Sequence, residues 1–415
     1  MQKRLIPAYL LTFVNVLGFS ILMPVLPFIV ETYHAPEWVY GALLTFYSAF
    51  QFLGAPYLGA MSDQQGRKKV LIISQAGTLL SWLVFIVALA LPDVPFLGLA
   101  LPLWIIAVSR ILDGITGGNT SVANAYVSDI TSRTEKTYIF GYLGGIAGIG
   151  LIVGPGIGGL AASTSIGYTG TMIVASAISV ITLVVLFLWL KESLPENKRR
   201  PVTRQRLFKS LFIMERIKKV NPPAIIRVIF WMKLLFHTMM TFYISTIALF
   251  LIDLFDFNEK ELGFFMLVVG LFLSFNQAFL SRVFVKKLGA VNTLIIGLIL
   301  AATGLFCITL TDNLWLYIMF YYVMNLGLSI CFPTFNSLIS IHADANKQGE
   351  IMGISESIRS MTMAAFPVLA AAIYGWIGYP VYYMIAALPL AALAIALKNI
   401  KILKPEHYTE ELEVE

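Results

Sequence analysis

Cysteine and charge are what this chain has least of. Its two cysteines in 415 residues, Cys307 and Cys331, both sit inside apolar runs, which argues against a disulfide framework or a cysteine-rich metal centre. Charged residues supply only 13% of the sequence against 58% hydrophobic ones, and the mean hydropathy is +0.81. A soluble fold could not hide that much apolar surface; lipid is the solvent such a chain suits. No Ser/His/Asp spacing and no pair of metal ligands on one helix points to an enzyme, and no nucleotide-binding P-loop points to a self-contained pump. No cofactor and no metal is expected. The net charge of +6 does not suggest nucleic acid, because the basic excess lies in short links and one central loop. The opening Met-Gln-Lys-Arg leads into a run too long for a signal-peptide core, and reads as a first span that stays.

What is there is apolar length. Runs fall near 5–30, 37–61, 69–91, 101–130, 138–162 and 165–190, and again near 224–254, 260–284, 290–310, 314–341, 349–376 and 379–398. A helix needs roughly 20 apolar residues to cross a bilayer, so each run is long enough. Hydrocarbon offers the backbone no outside partner, and long single runs do not fit barrel strands, so helices are required. The sequence predicts an all-α integral membrane protein of twelve transmembrane helices in two six-helix bundles, 1–190 and 224–400. A basic connector, 191–223, joins them, and an acidic tail, 401–415, follows.

Charge placement orients the spans. The links 62–69, 131–137 and 285–289 hold Arg67, Lys68, Lys69, Arg133, Lys136, Lys286 and Lys287, whereas 31–38 and 92–99 are almost free of Lys and Arg. Basic links stay cytoplasmic, so both termini are expected inside, in the inner membrane of a bacterium. The connector carries Lys191, Lys198, Arg199, Arg200, Arg204, Arg206, Lys209, Arg216, Lys218 and Lys219 against three acids, and reads as lying along anionic lipid. The tail Glu406–Glu415 has no apolar pattern and is expected to be disordered.

Three stretches carry more than hydropathy. The link Gly59-Ala-Met-Ser-Asp63-Gln-Gln-Gly66-Arg67-Lys-Lys69 places an acid and two glycines where a generic basic link needs none. In the fourth run Arg110, Asp113, Gly114, Gly117, Ser121, Asn124 and Ser128 recur at steps of three and four, hence on one helix face that cannot favourably meet lipid. The fifth run has Gly144, Gly148, Gly154, Gly158 and Gly159 for close helix packing, with Pro155 to bend it. Gly154-x-Gly156-x-x-Gly159 also fits a dinucleotide fingerprint, but no strand precedes it; Asn119-Thr-Ser121 fits a glycosylation acceptor, but it lies within a span.

The 59–69 link is similar to the signature loop between the second and third spans of the major facilitator superfamily. Arg110-x-x-x-Gly114-x-x-Gly117 resembles its fourth-span motif, whose arginine is linked to proton transfer. Gly154-Pro155-x-x-Gly158-Gly159 resembles the motif of its drug–proton antiporters, and Arg110 to Gly159 with 189–195 looks most like the tetracycline-efflux branch. The resemblance implies a major facilitator fold with a substrate site between two halves near the midplane. It also implies that Gly59, Asp63, Gly66, Arg67 and Asp129 form a conformational latch holding the halves in the outward-open state. Arg282-Val-Phe-Val-Lys-Lys-Leu-Gly289 stands in the second half where 59–71 stands in the first, as a weaker copy without the acid. The chain departs from the branch at Asn15, where drug antiporters commonly carry an acid, and in the ninth run, which has no carboxylate.

Candidate chemistry therefore moves to the second half. Lys233 and His237 are one turn apart, as are Glu356 and Arg359, all well inside spans. A charge at mid-membrane costs at least ~2.5 kcal/mol, so each needs a partner, a cavity or a task. A structural salt-bridge lattice is the plain alternative. Asp113, Glu356 and Arg110 are the candidate proton-coupling residues. Asn15, Arg110, Lys233, His237, Gln277, Asn325, Glu356, Arg359 and Tyr322 are the candidate substrate contacts. The expected function is proton-coupled export of small amphipathic compounds by alternating access, in a bilayer and as a monomer. The alternative is a carrier, in either direction, for an anionic metabolite such as a polycarboxylate siderophore, since Arg110, Lys233, His237 and Arg359 would make one cavity net positive.

Overall fold

The structure, a computed structural model, describes residues 2–132, 135–199, 213–343 and 347–403. Arg133, the connector residues Arg200, Arg204, Arg206 and Lys209, and the acidic tail from residue 404 lie outside the described residues.

Helices account for nearly all of it. The first run breaks into α1 (Gln2–Ser20) and α2 (Leu26–Thr32), with Pro24 in the gap and Pro27 in the first turn of α2, where a missing N–H costs nothing. Then come α3 (Glu37–Gln65), α4 (Arg67–Ala90), α5 (Leu101–Gly117), α6 (Thr120–Ile130), α7 (Lys136–Ala162) and α8 (Tyr168–Trp189). Between α4 and α5 a two-residue antiparallel ladder, β1 (Pro95–Phe96) with β2 (Leu99–Ala100), turns through Leu97 and Gly98 at positive φ. After the connector helix α9 (Ile213–Val220) follow α10 (Ala224–Phe255), α11 (Glu259–Phe275), a π-helical turn (Asn276–Leu280) and α12 (Ser281–Cys307). The chain ends with α13 (Leu314–His342), α14 (Gln348–Ala365), α15 (Pro367–Ile377), α16 (Val381–Lys398) and α17 (Ile400–Leu403).

Eight helices among the described residues are long and apolar enough to cross a membrane, nine if α14 and α15, bent by 45°, count as one span. The near-continuous helical stretch Glu259–Cys307 holds two runs, divided at Gly289. With that division, the broken first run and α3, the count is twelve, in the sequence positions the hydropathy gave. The link glycines repeat the same backbone: Gly66 has φ 97° and ψ 153°, and Gly289 has φ 76° and ψ 162°. Both lie where an L side chain is strained, so each half uses a glycine to turn between its second and third spans.

Two compact units result. The first takes the described residues of Met1–Phe212 together with Ser245–Gly270 and Met363–Gly375. Its core runs through Leu17, Tyr40, Leu43, Trp82, Phe85 and Ile106, with a second cluster around Leu58, Val70, Tyr126 and Leu186. Inside this unit α7 lies backbone to backbone on α11: a Cβ built at Gly159 would stand 2.3 Å from the Glu259 carbonyl oxygen and 3.1 Å from Gly263 Cα. A Cβ at Gly41, on α3, would stand 2.5 Å from the Pro367 carbonyl oxygen of α15. Tyr168 Oη donates to Glu259 Oε1 at 2.9 Å, and Tyr374 Oη to Asp253 Oδ2 at 2.6 Å. The second unit takes Ile213–Ile244, Leu271–Thr362 and the described residues of Trp376–Glu415. There α12 and α13 close on each other at Gly297, Gly304 and Gly327, and Tyr243 meets Tyr321 by their hydroxyls.

The glycine ladder of α7 corrects one expectation. Gly154 meets Ser20 at the end of α1, Gly158 meets Ile21 directly after it, Pro155 is buried, and Gly159 meets α11. A Cβ at Gly144 or Gly148 would meet no described atom within 4 Å. These two were expected to pack helices, and among the described residues neither has a helix against it.

Candidate functional site

Three ionic clusters collect most of the residues singled out by sequence. The first forms at the α3–α4 link. Arg67 Nη1 pairs with Asp63 Oδ1 at 2.6 Å and donates to Ser62 Oγ, while Arg67 Nε donates to Asp129 Oδ2 at 3.2 Å. Asp63, Arg67 and Asp129 thus come together as the motif implied. Gly66 supplies the turn, and Gly59 lies beside Ser121. Glu192 was not anticipated. Its carboxylate accepts from the backbone N–H groups of Arg67 at 2.9 Å and Lys68 at 3.2 Å, and Ser193 Oγ donates to Asp129 at 3.0 Å. The first turn of any helix leaves N–H groups without partners, and a carboxylate there also suits the helix dipole. All these partners precede the seventh run, Glu192 and Ser193 lying just after the sixth.

The second cluster is inside the first unit. Arg110 Nη1 donates to Asp113 Oδ2 at 3.3 Å, with side chains 3% and 5% exposed. The guanidinium also lies 4.8 Å over the Trp82 ring and 5.3 Å over Phe85. The sequence stripe of α5 and α6 does not run on as one face. Arg110, Asp113, Gly114 and Gly117 are buried, but the turn at 118–119 leaves Ser121 and Asn124 exposed. Asn15, half-buried on α1, donates to Asn119 Oδ1 at 2.5 Å.

The third cluster belongs to the second unit. Lys233 is 3% exposed and donates to Asn336 Oδ1 at 2.9 Å and to Ser355 Oγ. Its ammonium stands 3.9 Å from Glu356 Oε1, and Arg359 Nε donates to Glu356 Oε2 at 2.9 Å. Glu356 and Arg359 are half-exposed, at 51% and 52% of their side chains. His237 lies on the same α10 as Lys233, is 4% exposed, and packs edge-on to Phe236 and tilted to Phe332. Its buried Nε2 has no hydrogen-bond partner among the described residues. Arg110, grouped with these cations by sequence, belongs to the first unit, where its guanidinium is paired with Asp113 one turn away.

Tyr322 Oη donates to Asn276 Oδ1 at 3.2 Å, and Asn276 Nδ2 approaches Asn325 Oδ1 at 3.5 Å. Gln277 is half-buried beside them on the π-helical turn, a form of helix that often marks functional positions. No group of three His, Cys, Asp or Glu able to hold a metal ion occurs among the described residues.

Comparison with known proteins agrees with these features. The family model of the Major Facilitator Superfamily matches residues 8–367. The class B tetracycline resistance protein of Escherichia coli is 29% identical over 383 residues, 89% of this chain and 90% of that one. The class D protein of Salmonella ordonez is 30% identical over 379 residues, 90% of each chain. Among solved structures, the human organic anion transporter MFSD10 superposes with a TM-score of 0.70 at 20% identity, over 95% of this chain and 99% of that one.

Proposed function

The chain belongs to the major facilitator superfamily and is therefore a multi-pass membrane transporter of small molecules, not an enzyme, and we propose that it exports small amphipathic compounds in exchange for protons. What supports export is likeness to tetracycline resistance proteins along nine-tenths of the chain. What supports proton coupling is the Arg110–Asp113 pair and the Lys233–Glu356–Arg359 set, ionic groups kept at a depth where each costs several kcal/mol without a task. On this reading the two sequence halves alternate access to Asn15, Gln277, Asn325, Tyr322 and the ionic residues. The protein works as a monomer in a bacterial inner membrane with both ends cytoplasmic, as the basic links favour. Inverted vesicles should accumulate tetracycline or ethidium when the lumen is acid, and lose the accumulation when nigericin collapses the gradient. Accumulation that ignores the gradient would remove the proton from the mechanism.

A second reading has its own observation. The Lys233–Glu356–Arg359 set holds two cations and one anion, which favours a carrier for an anionic metabolite such as a polycarboxylate siderophore. The same vesicles offered acids and amines of equal size decide between the two.

The α3–α4 cluster is proposed as the latch on one conformation. Arg67→Ala strips the partner from Asp63 and Asp129 together. Transport should fall about tenfold or more, since two coupled ion pairs are lost together, while expression and equilibrium binding of substrate stay near wild type. Lost binding with intact turnover would count against a latch.

A further inference from the structure

The cluster in the second unit has a feature that neither reading uses. Its one anion, Glu356, is shared between two cations and satisfies neither fully. Lys233 makes its hydrogen bonds to the neutral Asn336 and Ser355, and at 3.9 Å Glu356 reaches it only as an ion pair. Arg359 spends its Nε on Glu356 and keeps about half of its side chain exposed. Exposure at span depth cannot mean exposure to hydrocarbon for an ion pair, so this side of α14 faces water or ligand. Lys233, by contrast, is closed over. The Arg110–Asp113 pair of the other unit has no such open side.

We propose that Glu356 is a built-in carboxylate occupying, in the empty carrier, the place that an acidic substrate takes, so that a proton on Glu356 and a carboxylate-bearing substrate bind together. The proposal rests on the anionic-metabolite reading above and gives that reading its coupling. A proton from water forms an O–H bond on Glu356, whose ion pairs to Arg359 and Lys233 are released. The substrate carboxylate takes both cations, and no covalent bond in the substrate changes. Taking Lys233 and Arg359 as cations, the set carries one net positive charge before the step. After it, with a monoanion bound, it carries the same. Empty and loaded carrier then meet the same desolvation penalty, which is the condition for both to reorient. The groups around Glu356 fit the exchange. Lys233 comes from α10 and Arg359 from its own α14, His237 of α10 stands by those two cations, and α13 contributes the neutral Asn336. Asn336 and Ser355 keep Lys233 in place while the carboxylates change over. Anion and proton therefore travel in the same direction.

Binding to the purified full-length protein tests this, with 4-phenylbutyrate and succinate as probes and 4-phenylbutylamine as the cationic control. Both acids stay largely ionised between about pH 6.5 and about pH 8. For wild type, at least one acid should bind more tightly as pH falls, approaching tenfold per pH unit, the slope of one proton taken up per anion bound. Glu356→Gln should bind that acid tightly at every pH, with the slope gone. Arg359→Ala should lose about tenfold or more, as removal of a charge-paired contact does. The amine should gain nothing at low pH. A flat or opposite slope in wild type, measured without any variant, overturns the proposal. So does failure of both acids to bind. Carboxylate uptake by proteoliposomes with no pH-linked binding would leave the anion carrier standing and overturn only the role given to Glu356. The predicted slope without any flux would support the site and sink the transport reading.

Discussion

Arg110→Ala should be the most damaging single truncation in the first unit, costing about 3–5 kcal/mol because it strands Asp113 as an unpaired buried charge. The guanidinium also loses its places over Trp82 and Phe85, so packing goes with the charge. Removing both charges at once behaves differently. Arg110→Met with Asp113→Leu fills a similar volume without an ion, and paired replacement of this kind is often neutral or stabilising. Thermal unfolding in detergent should therefore rank wild type and the double variant together, well above Arg110→Ala. Transport should not follow that order. If the pair moves protons, the double variant folds and binds but no longer responds to a pH gradient. Normal gradient-driven flux in the double variant would reduce Arg110 and Asp113 to scaffold. The two measurements separate stability from coupling at a site where a single substitution would confuse them.

How much of this was legible beforehand varies with how local each interaction is. The twelve runs could be read because a span must be apolar along its whole length, and no tertiary contact can override that. Breaks inside the runs were less visible. Pro24 hinted at the α1–α2 gap, and Gly117-Gly118-Asn119 is a breaker that marks the α5–α6 turn and was left unread, but nothing in 276–280 announced a π-helical turn. At the sites, one-turn pairs were readable: Arg110–Asp113 and Glu356–Arg359 follow from spacing alone. The approach of Lys233 to Glu356 crosses from α10 to α14 and required the fold. Asp63, Arg67 and Asp129 were brought together by family likeness. Glu192 escaped because its task is to satisfy backbone N–H groups, which leave no mark in sequence. The missing signal was physical: a helix beginning directly after Gly66 needs an acceptor, and the nearest serviceable acid follows the sixth span.

Gly159→Leu and Gly144→Leu should give opposite results on the same helix. Any side chain at Gly159 starts 2.3 Å from a backbone oxygen of α11 and 3.1 Å from Gly263 Cα, and backbone cannot step aside as a side chain does. The wedge must push α7 away from α11, at a cost of about 1–3 kcal/mol for overpacking. That penalty falls only on states in which the two helices touch. The helices come from the first and second halves of the sequence, so a carrier that alternates access must part and rejoin them. A bias of that size shifts the balance of states about fivefold or more, and transport should drop accordingly while the protein still folds. At Gly144 a Cβ meets nothing described within 4 Å, so leucine there should leave transport near wild type. Gly263→Leu should reproduce Gly159→Leu, since its Cβ would stand 2.6 Å from the Pro155 carbonyl oxygen on α7. Uptake by vesicles with matched protein content reads all three. Equal activity in the three variants would mean that the α7–α11 contact is not remade during the cycle, and close packing on α11 would no longer explain Gly159 and Gly263.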